Sequence, residues 1–113
     1  MQKQFTGNFF DKSRRAVIAG TGMHVPDTII TNHDLEEMVD TSDEWIVTRT
    51  GIKERRRVKP GVESAATLGI EAAKKALEAA NCSADEIDYI ICSTITPEVQ
   101  YPATACFIQE GIG

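Results

Sequence analysis

Asp40-Thr41-Ser42-Asp43-Glu44-Trp45-Ile46-Val47-Thr48-Arg49-Thr50-Gly51-Ile52 is the stretch on which the fold reading turns. Its first residues have the form of a capping box, with Thr41 as N-cap and Glu44 at the third helical position reaching back. Gly51 suits the left-handed residue that closes a helix. A short helix is therefore predicted between them. Thr41, Trp45 and Arg49 recur at i, i+4 and i+8, so they rise along one face. An indole and a guanidinium one turn apart make a flat stacking surface beside a cation. Such a surface suits an adenine ring carrying phosphates, where stacking contributes about 1–3 kcal/mol per base. On spacing alone, a core-anchoring Trp45 with Arg49 paired to a carboxylate is the favoured reading.

Before this helix, residues 15–20 (RAVIAG) read as a short buried strand, and Thr21-Gly22 turns the chain out of it. Thr31 or Asn32 is placed to cap a short helix whose Leu35, Met38 and Val39 share a face. After it, residues 53–59 are basic and extended, and Pro60-Gly61 is a turn. The longest helix is expected over 63–80. Its Ala65, Leu68, Gly69, Ala72, Ala73, Ala76 and Leu77 form a small-residue face that lets another backbone approach closely. Asn81 ends it, and Ser83 to Glu86 form a second capping box for a single turn. Residues 89–92 (YIIC) are continuously apolar, as in a strand covered on both faces. Pro102 suits the first position of a last helix. The order β–α–α–β–α–β–α predicts a mixed α/β layered structure.

The chain has 113 residues, a length that permits one small domain with a core. Its formal net charge of −5 argues against a nucleic-acid binder, which needs a basic face. No apolar run approaches the roughly 20 residues that span a bilayer, and none has the form of a signal peptide, so a cytoplasmic location is expected. Cys82, Cys92 and Cys106 are odd in number and lack CxxC spacing, which disfavours a disulfide framework or a zinc site. Reduced thiols are expected for all three.

Each remaining candidate has a bland reading beside its chemical one. Ala19-Gly20-Thr21-Gly22 after a strand invites a dinucleotide fingerprint, but Val25-Pro26 stands where the third glycine belongs, and the glycines suffice as a turn. His24 and His33 have no partner at a recognisable catalytic spacing and read as surface or loop residues. Cys106 sits at a helix start that would favour its thiolate, yet its apolar neighbours favour an inert packed thiol. Lys53, Arg55, Arg56, Arg57 and Lys59 would attract an acidic partner. The favoured alternative is a solvated strand face paired with the chain's own carboxylates.

Taken together, the residues from Asp40 to Ile52 with Lys53-Glu54-Arg55 after them resemble the β-ketoacyl-acyl carrier protein synthase III family of the thiolase-like fold. Gly20-Thr21-Gly22 with Pro26, Thr31-Asn32 with Leu35, and the stretch from Thr94 through Tyr101-Pro102-Ala103-Thr104-Ala105-Cys106 agree in order and spacing. The resemblance begins at about Arg15, leaving residues 1–14 as an unmatched extension and 15–113 as part of the condensing-enzyme domain. It implies a layered α/β/α thiolase-like architecture, of which this chain supplies most of the first half.

It further implies an acyltransferase of fatty acid synthesis. A cysteine takes an acyl group from acyl-coenzyme A, and malonyl-acyl carrier protein condenses onto it. A thiolate suits both steps as nucleophile and leaving group, while a histidine and an asparagine polarise the malonyl thioester oxygen. All three lie beyond residue 113, so no catalytic residue is expected here and Cys106 is placed among structural residues. By the same resemblance, Thr41, Trp45 and Arg49 bind coenzyme A, and Tyr101 reaches across a homodimer interface to close the partner's acyl pocket. Coenzyme A enters as substrate, with no resident cofactor, metal, nucleic acid or membrane. Two alternatives stand beside this: another condensing enzyme with the same entrance, and a non-catalytic coenzyme A-binding or assembly module.

Overall fold

The computed structural model describes residues 16–113. The expected extension over residues 1–14, and Arg15 of the expected first strand, lie outside the described residues. The elements run β1 (Ile29–Thr31), α1 (Asn32–Glu36), α2 (Asp43–Thr50), β2 (Glu54–Arg56), α3 (Ala65–Ala80), a single 3-10 turn (Ala84–Glu86) and α4 (Thr104–Ile112).

β1 and β2 pair antiparallel in the register Ile29↔Arg56, Ile30↔Arg55 and Thr31↔Glu54. Ile30 and Arg55 are opposite one another and both half-buried, as one inward face of a pleated pair requires. Bonds from Arg57 N–H to Thr28 O (3.0 Å) and from Asn32 N–H to Lys53 O (3.2 Å) extend the ladder at either end. β1 passes directly into α1, because Thr31 is both its last residue and the N-cap. The Thr31 hydroxyl accepts from Asp34 N–H (3.2 Å), and the Asp34 carboxylate accepts from Thr31 N–H (2.7 Å). α1 then ends at Glu36, so Met38 and Val39 stay exposed rather than sharing its buried face.

The expected N-cap of α2 shifts by one residue. Ser42 takes the place expected for Thr41: it is extended and accepts from Trp45 N–H (3.1 Å). Trp45 cannot reach back as a glutamate would, so no reciprocal box forms. The exit is as expected, with Gly51 at φ 72° and its N–H bonded to Val47 O (2.8 Å). α3 starts at Ala65, where Ser64 and Thr67 cap each other's backbone N–H groups, while Glu63 stays in the preceding turn and accepts from Lys59 N–H (2.7 Å). Asn81 terminates α3 in the left-handed region at φ 50°. α4 begins at Thr104 rather than at Pro102, which follows a cis peptide bond from Tyr101. The carboxylate of Glu98 fixes this start: it accepts from the Thr104 hydroxyl (3.1 Å) and from the Ala66 N–H in the first turn of α3.

Close packing is concentrated on α3. Gly69 leaves room for Ile108 of α4, and Gly111 of α4 leaves room for Ile70. A second stripe of α3, made by Ala72, Ala76 and Ala80, receives the backbone at Gly20 and Gly22. A bond from Lys75 Nζ to Met23 O (3.1 Å) fastens the same segment. The expected small-residue face thus does admit a second backbone.

The two expected buried strands differ most from the structure. Residues 16–20 and 89–92 carry no strand among the described residues, and Val17, Ile18, Tyr89 and Ile91 are each more than 80% exposed. Among the described residues the buried apolar side chains are Ile46, Ala66 and Ile108, together with Pro26.

Candidate functional site

Asn32 is the residue from which the site is built. It is 1% exposed, and its Nδ2 donates both to Asp43 Oδ1 and to the Ile52 carbonyl, each at 2.8 Å. One side chain from α1 thereby ties the entry of α2 to the chain just beyond its exit. Glu36 takes the other side of Asp43, with Oε1 accepting its backbone N–H at 2.6 Å. Held as the first helical residue from two directions, Asp43 makes Ser42 the cap.

Ile46 is the residue of α2 that turns inward, at 8% exposure. Trp45, one position earlier, therefore faces out and is 54% exposed. Arg49, one turn on, lays its guanidinium over the Trp45 ring with Cζ at 4.8 Å from the centroid. That distance lies within cation–π range. The core-anchor reading of Trp45, favoured on spacing alone, is corrected. So is the pairing of Arg49 with a carboxylate: among the described residues Arg49 enters no ion pair, and its partner is the ring. Thr41 is half-buried just ahead of the cap. With Asp40, Ser42 and Trp45 it lines an open hollow of about 330 Å³. Thr41, Trp45 and Arg49 are thus brought to one accessible face.

That face can stack a planar ring against the indole and offer a fixed cation to an anionic group beside it. What the indole and the guanidinium offer there is binding contact.

Other candidates fall elsewhere. Tyr101 is 89% exposed, ahead of α4 and away from this hollow. Cys106 is exposed, contrary to the packed thiol expected. It borders a groove of about 460 Å³ with Tyr89, Ile90, Gln109 and Ile112, because α4 buries Thr104 and Ile108 instead. The basic residues of 53–59 form no ion pair with the chain's carboxylates among the described residues. Arg56 instead donates to the carbonyls of Pro26 (3.2 Å) and Asp27 (3.3 Å). His24 is half-buried. His33 is exposed but not isolated, since its Nδ1 lies 3.0 Å from Glu36 Oε2. The hydrogen bond to Glu36, then its charge, raises the His33 pKa above the ordinary histidine value. The same contact, with the Asp43 N–H next, lowers that of Glu36. Asn32 and Glu36 carried no sequence signal as site residues. Asn32 read as an alternative cap, and a carboxylate seven residues ahead of its backbone partner has no local signature.

No family model matches the chain. It is 53% identical over 98 residues to a β-ketoacyl-[acyl-carrier-protein] synthase III from Caldanaerobacter subterraneus subsp. tengcongensis, covering 87% of this chain and 29% of that protein. Among solved structures it is similar to 3-oxoacyl-[acyl-carrier-protein] synthase III from Aquifex aeolicus, with a TM-score of 0.80, 52% identity and coverage of 84% of this chain and 30% of that one. The priming β-ketosynthase of a polyketide biosynthetic pathway also matches, at TM-score 0.80 and 34% identity over 85% of this chain and 28% of its own. The chain therefore spans under a third of the length of the relatives it matches.

Proposed function

Because this chain belongs to the β-ketoacyl-acyl carrier protein synthase III family, as a partial sequence with a partial thiolase-like α/β fold, we propose that its residues serve an acyltransferase that initiates fatty acid synthesis. In that reading an acyl group passes from acyl-coenzyme A to a cysteine, and malonyl-acyl carrier protein then condenses onto it. These residues supply part of the coenzyme A entrance, and the reacting groups come from elsewhere in the enzyme.

The observation that carries the reading is the exposed Trp45 ring with the Arg49 guanidinium over it. The adenine would stack on the free area of the indole, with Thr41 at the rim of the hollow and Arg49 facing the phosphates. Coenzyme A is then a substrate, and no resident cofactor or metal is invoked. Tyr101, exposed and projecting, is the residue proposed to reach a second subunit of a homodimer and help close its acyl pocket. No helix among the described residues is long and apolar enough to cross a membrane. The proposed setting is cytoplasmic, with acyl carrier protein as macromolecular partner, and the net charge of −5 argues against nucleic acid as a partner.

Calorimetry on the whole protein tests the entrance. Trp45→Ala is expected to weaken coenzyme A binding by about 1–3 kcal/mol through lost stacking, with the thermal melt unchanged. Unchanged affinity would remove Trp45 from the site. A second reading, priming of polyketide synthesis, is favoured by the likeness to the priming β-ketosynthase. Acyl-chain preference of the whole protein in a condensation assay separates the two.

A further inference from the structure

Three contacts brace the two ends of the six-residue join between α1 and α2, where the hollow beside Trp45 has its rim. Glu36 Oε1 accepts the Asp43 N–H at 2.6 Å and closes the loop that contains Asp40, Thr41 and Ser42. Its other oxygen, Oε2, meets His33 Nδ1 at 3.0 Å. Asn32 holds the Asp43 carboxylate from beneath. Asn32 is buried and its bonds are insulated, whereas Glu36 and His33 are open to solvent and to its protons.

We propose that Glu36 is a positioning residue for the Thr41–Trp45–Arg49 face, and that His33 makes its hold on that face pH-dependent. The inference deepens the entrance proposed above and rests on that reading for the identity of the ligand. The mechanism needs no contact between Glu36 and ligand. A carboxylate bonded at both oxygens has one orientation, so the Asp43 N–H keeps a fixed partner and the rim keeps one shape. When His33 loses its proton, Oε2 loses a charged partner, and the hold that keeps the carboxylate turned toward Asp43 weakens. The groups bearing on His33 are Asp34 and Glu36 of its own helix and Asp43 of α2. β1, also packed against α1, carries no ionisable side chain in Ile29–Thr31. The charges that bear on it are thus acidic and favour the protonated imidazole. A group whose folded pKa is raised contributes fully below its ordinary value and fades as pH rises through the raised one.

The test uses the whole protein labelled with 5-fluorotryptophan, with the Trp45 fluorine resonance assigned by its loss in Trp45→Phe. That resonance reads the platform without ligand, and coenzyme A affinity reads it with ligand. In the wild type the resonance should shift as pH rises from the ordinary histidine range, and affinity should fall with it. Glu36→Ala should broaden or move the resonance and raise the coenzyme A Kd about 3–10-fold, a fraction of the full effect of losing a charged acceptor, because the loss reaches the ligand only through the rim. Glu36→Gln keeps an oxygen for the Asp43 N–H. It should hold near wild-type affinity at high pH and lose the pH response, as should His33→Ala. If Glu36→Ala does not fold, the pH responses of Glu36→Gln and His33→Ala decide the question. An unaltered Trp45 resonance in Glu36→Ala overturns the positioning role, and a pH response that survives in His33→Ala overturns the histidine's part. Failure of the wild type to bind coenzyme A would sink the ligand assignment instead, and the fluorine resonance would still judge Glu36.

Discussion

Gly20→Ala should destabilise the protein by about 1–2 kcal/mol, although nothing in the sequence around it asks for more than a turn. An ideal Cβ there would stand 2.5 Å from the Ala76 carbonyl oxygen, 2.6 Å from the Ala80 nitrogen and 2.9 Å from the Ala80 Cβ. Ordinary contact needs roughly 3.5–4.0 Å, and two of these neighbours are helix backbone that cannot rotate aside. The segment at 20–22 must therefore back away from α3 by about 1 Å. A gap of that size forfeits a quarter to a half of the attraction along the Ala72, Ala76 and Ala80 stripe, and it strains the Lys75–Met23 bond. Overpacking of this kind costs about 1–3 kcal/mol. Gly20 is not in the left-handed region, so alanine recovers about 0.4–1 kcal/mol from the stiffer unfolded chain. Denaturant unfolding of the whole protein measures the balance. Gly51 is the comparison, because it has open space around it and φ 72°. Gly51→Ala should cost about 1–2 kcal/mol for a purely conformational reason. Asparagine should restore much of that loss at Gly51 and none at Gly20. Equal tolerance of asparagine at both sites, or a neutral Gly20→Ala, would refute the close-approach argument.

Asn32→Ala should cost about 1–3 kcal/mol, because the Ile52 carbonyl and the Asp43 carboxylate each lose a donor; a change in unfolding free energy near zero would contradict this. Glu98 has its pKa lowered, first by the Ala66 N–H. Its contribution is therefore present above the ordinary glutamate range and lost as pH falls through the lowered value. Glu98→Gln should flatten the acid limb of the stability–pH curve, and an unchanged limb would count against it. Residues 1–113 expressed alone should self-associate, since Val17, Ile18, Tyr89 and Ile91 are open and net domain stability is only about 5–15 kcal/mol. A monodisperse monomer with a cooperative melt in sedimentation and calorimetry would count against that expectation.

What was legible beforehand divides by the range of the interaction concerned. Gly51, Asn81 and the turn at Pro60-Gly61 act within a few residues, and each lies where its local chemistry puts it. Apolar runs such as 16–20 and 89–92 form strands only against partners distant in sequence. Sequence shows that such runs want covering but not what covers them, and the described residues offer them no paired neighbour. The start of α2 is intermediate. Thr41 and Ser42 are both competent caps, and the choice between them falls to Asn32 and Glu36, which grip Asp43 from another helix.

The outward turn of Trp45 follows from the same cause. A lone tryptophan in an amphipathic stretch is by default a core residue. Its exposure is decided by Ile46 occupying the inward position once Asp43 is fixed as the first residue of the helix. Gly20-Thr21-Gly22 makes the complementary point. Read locally, the motif offers a turn or a degraded phosphate loop. Its use in the fold appears only when it is set against the alanines at 72, 76 and 80, one helical turn apart and some fifty residues away. Glycines without side chains and a helix stripe with the smallest ones are two halves of one packing decision. Neither half is informative without the other.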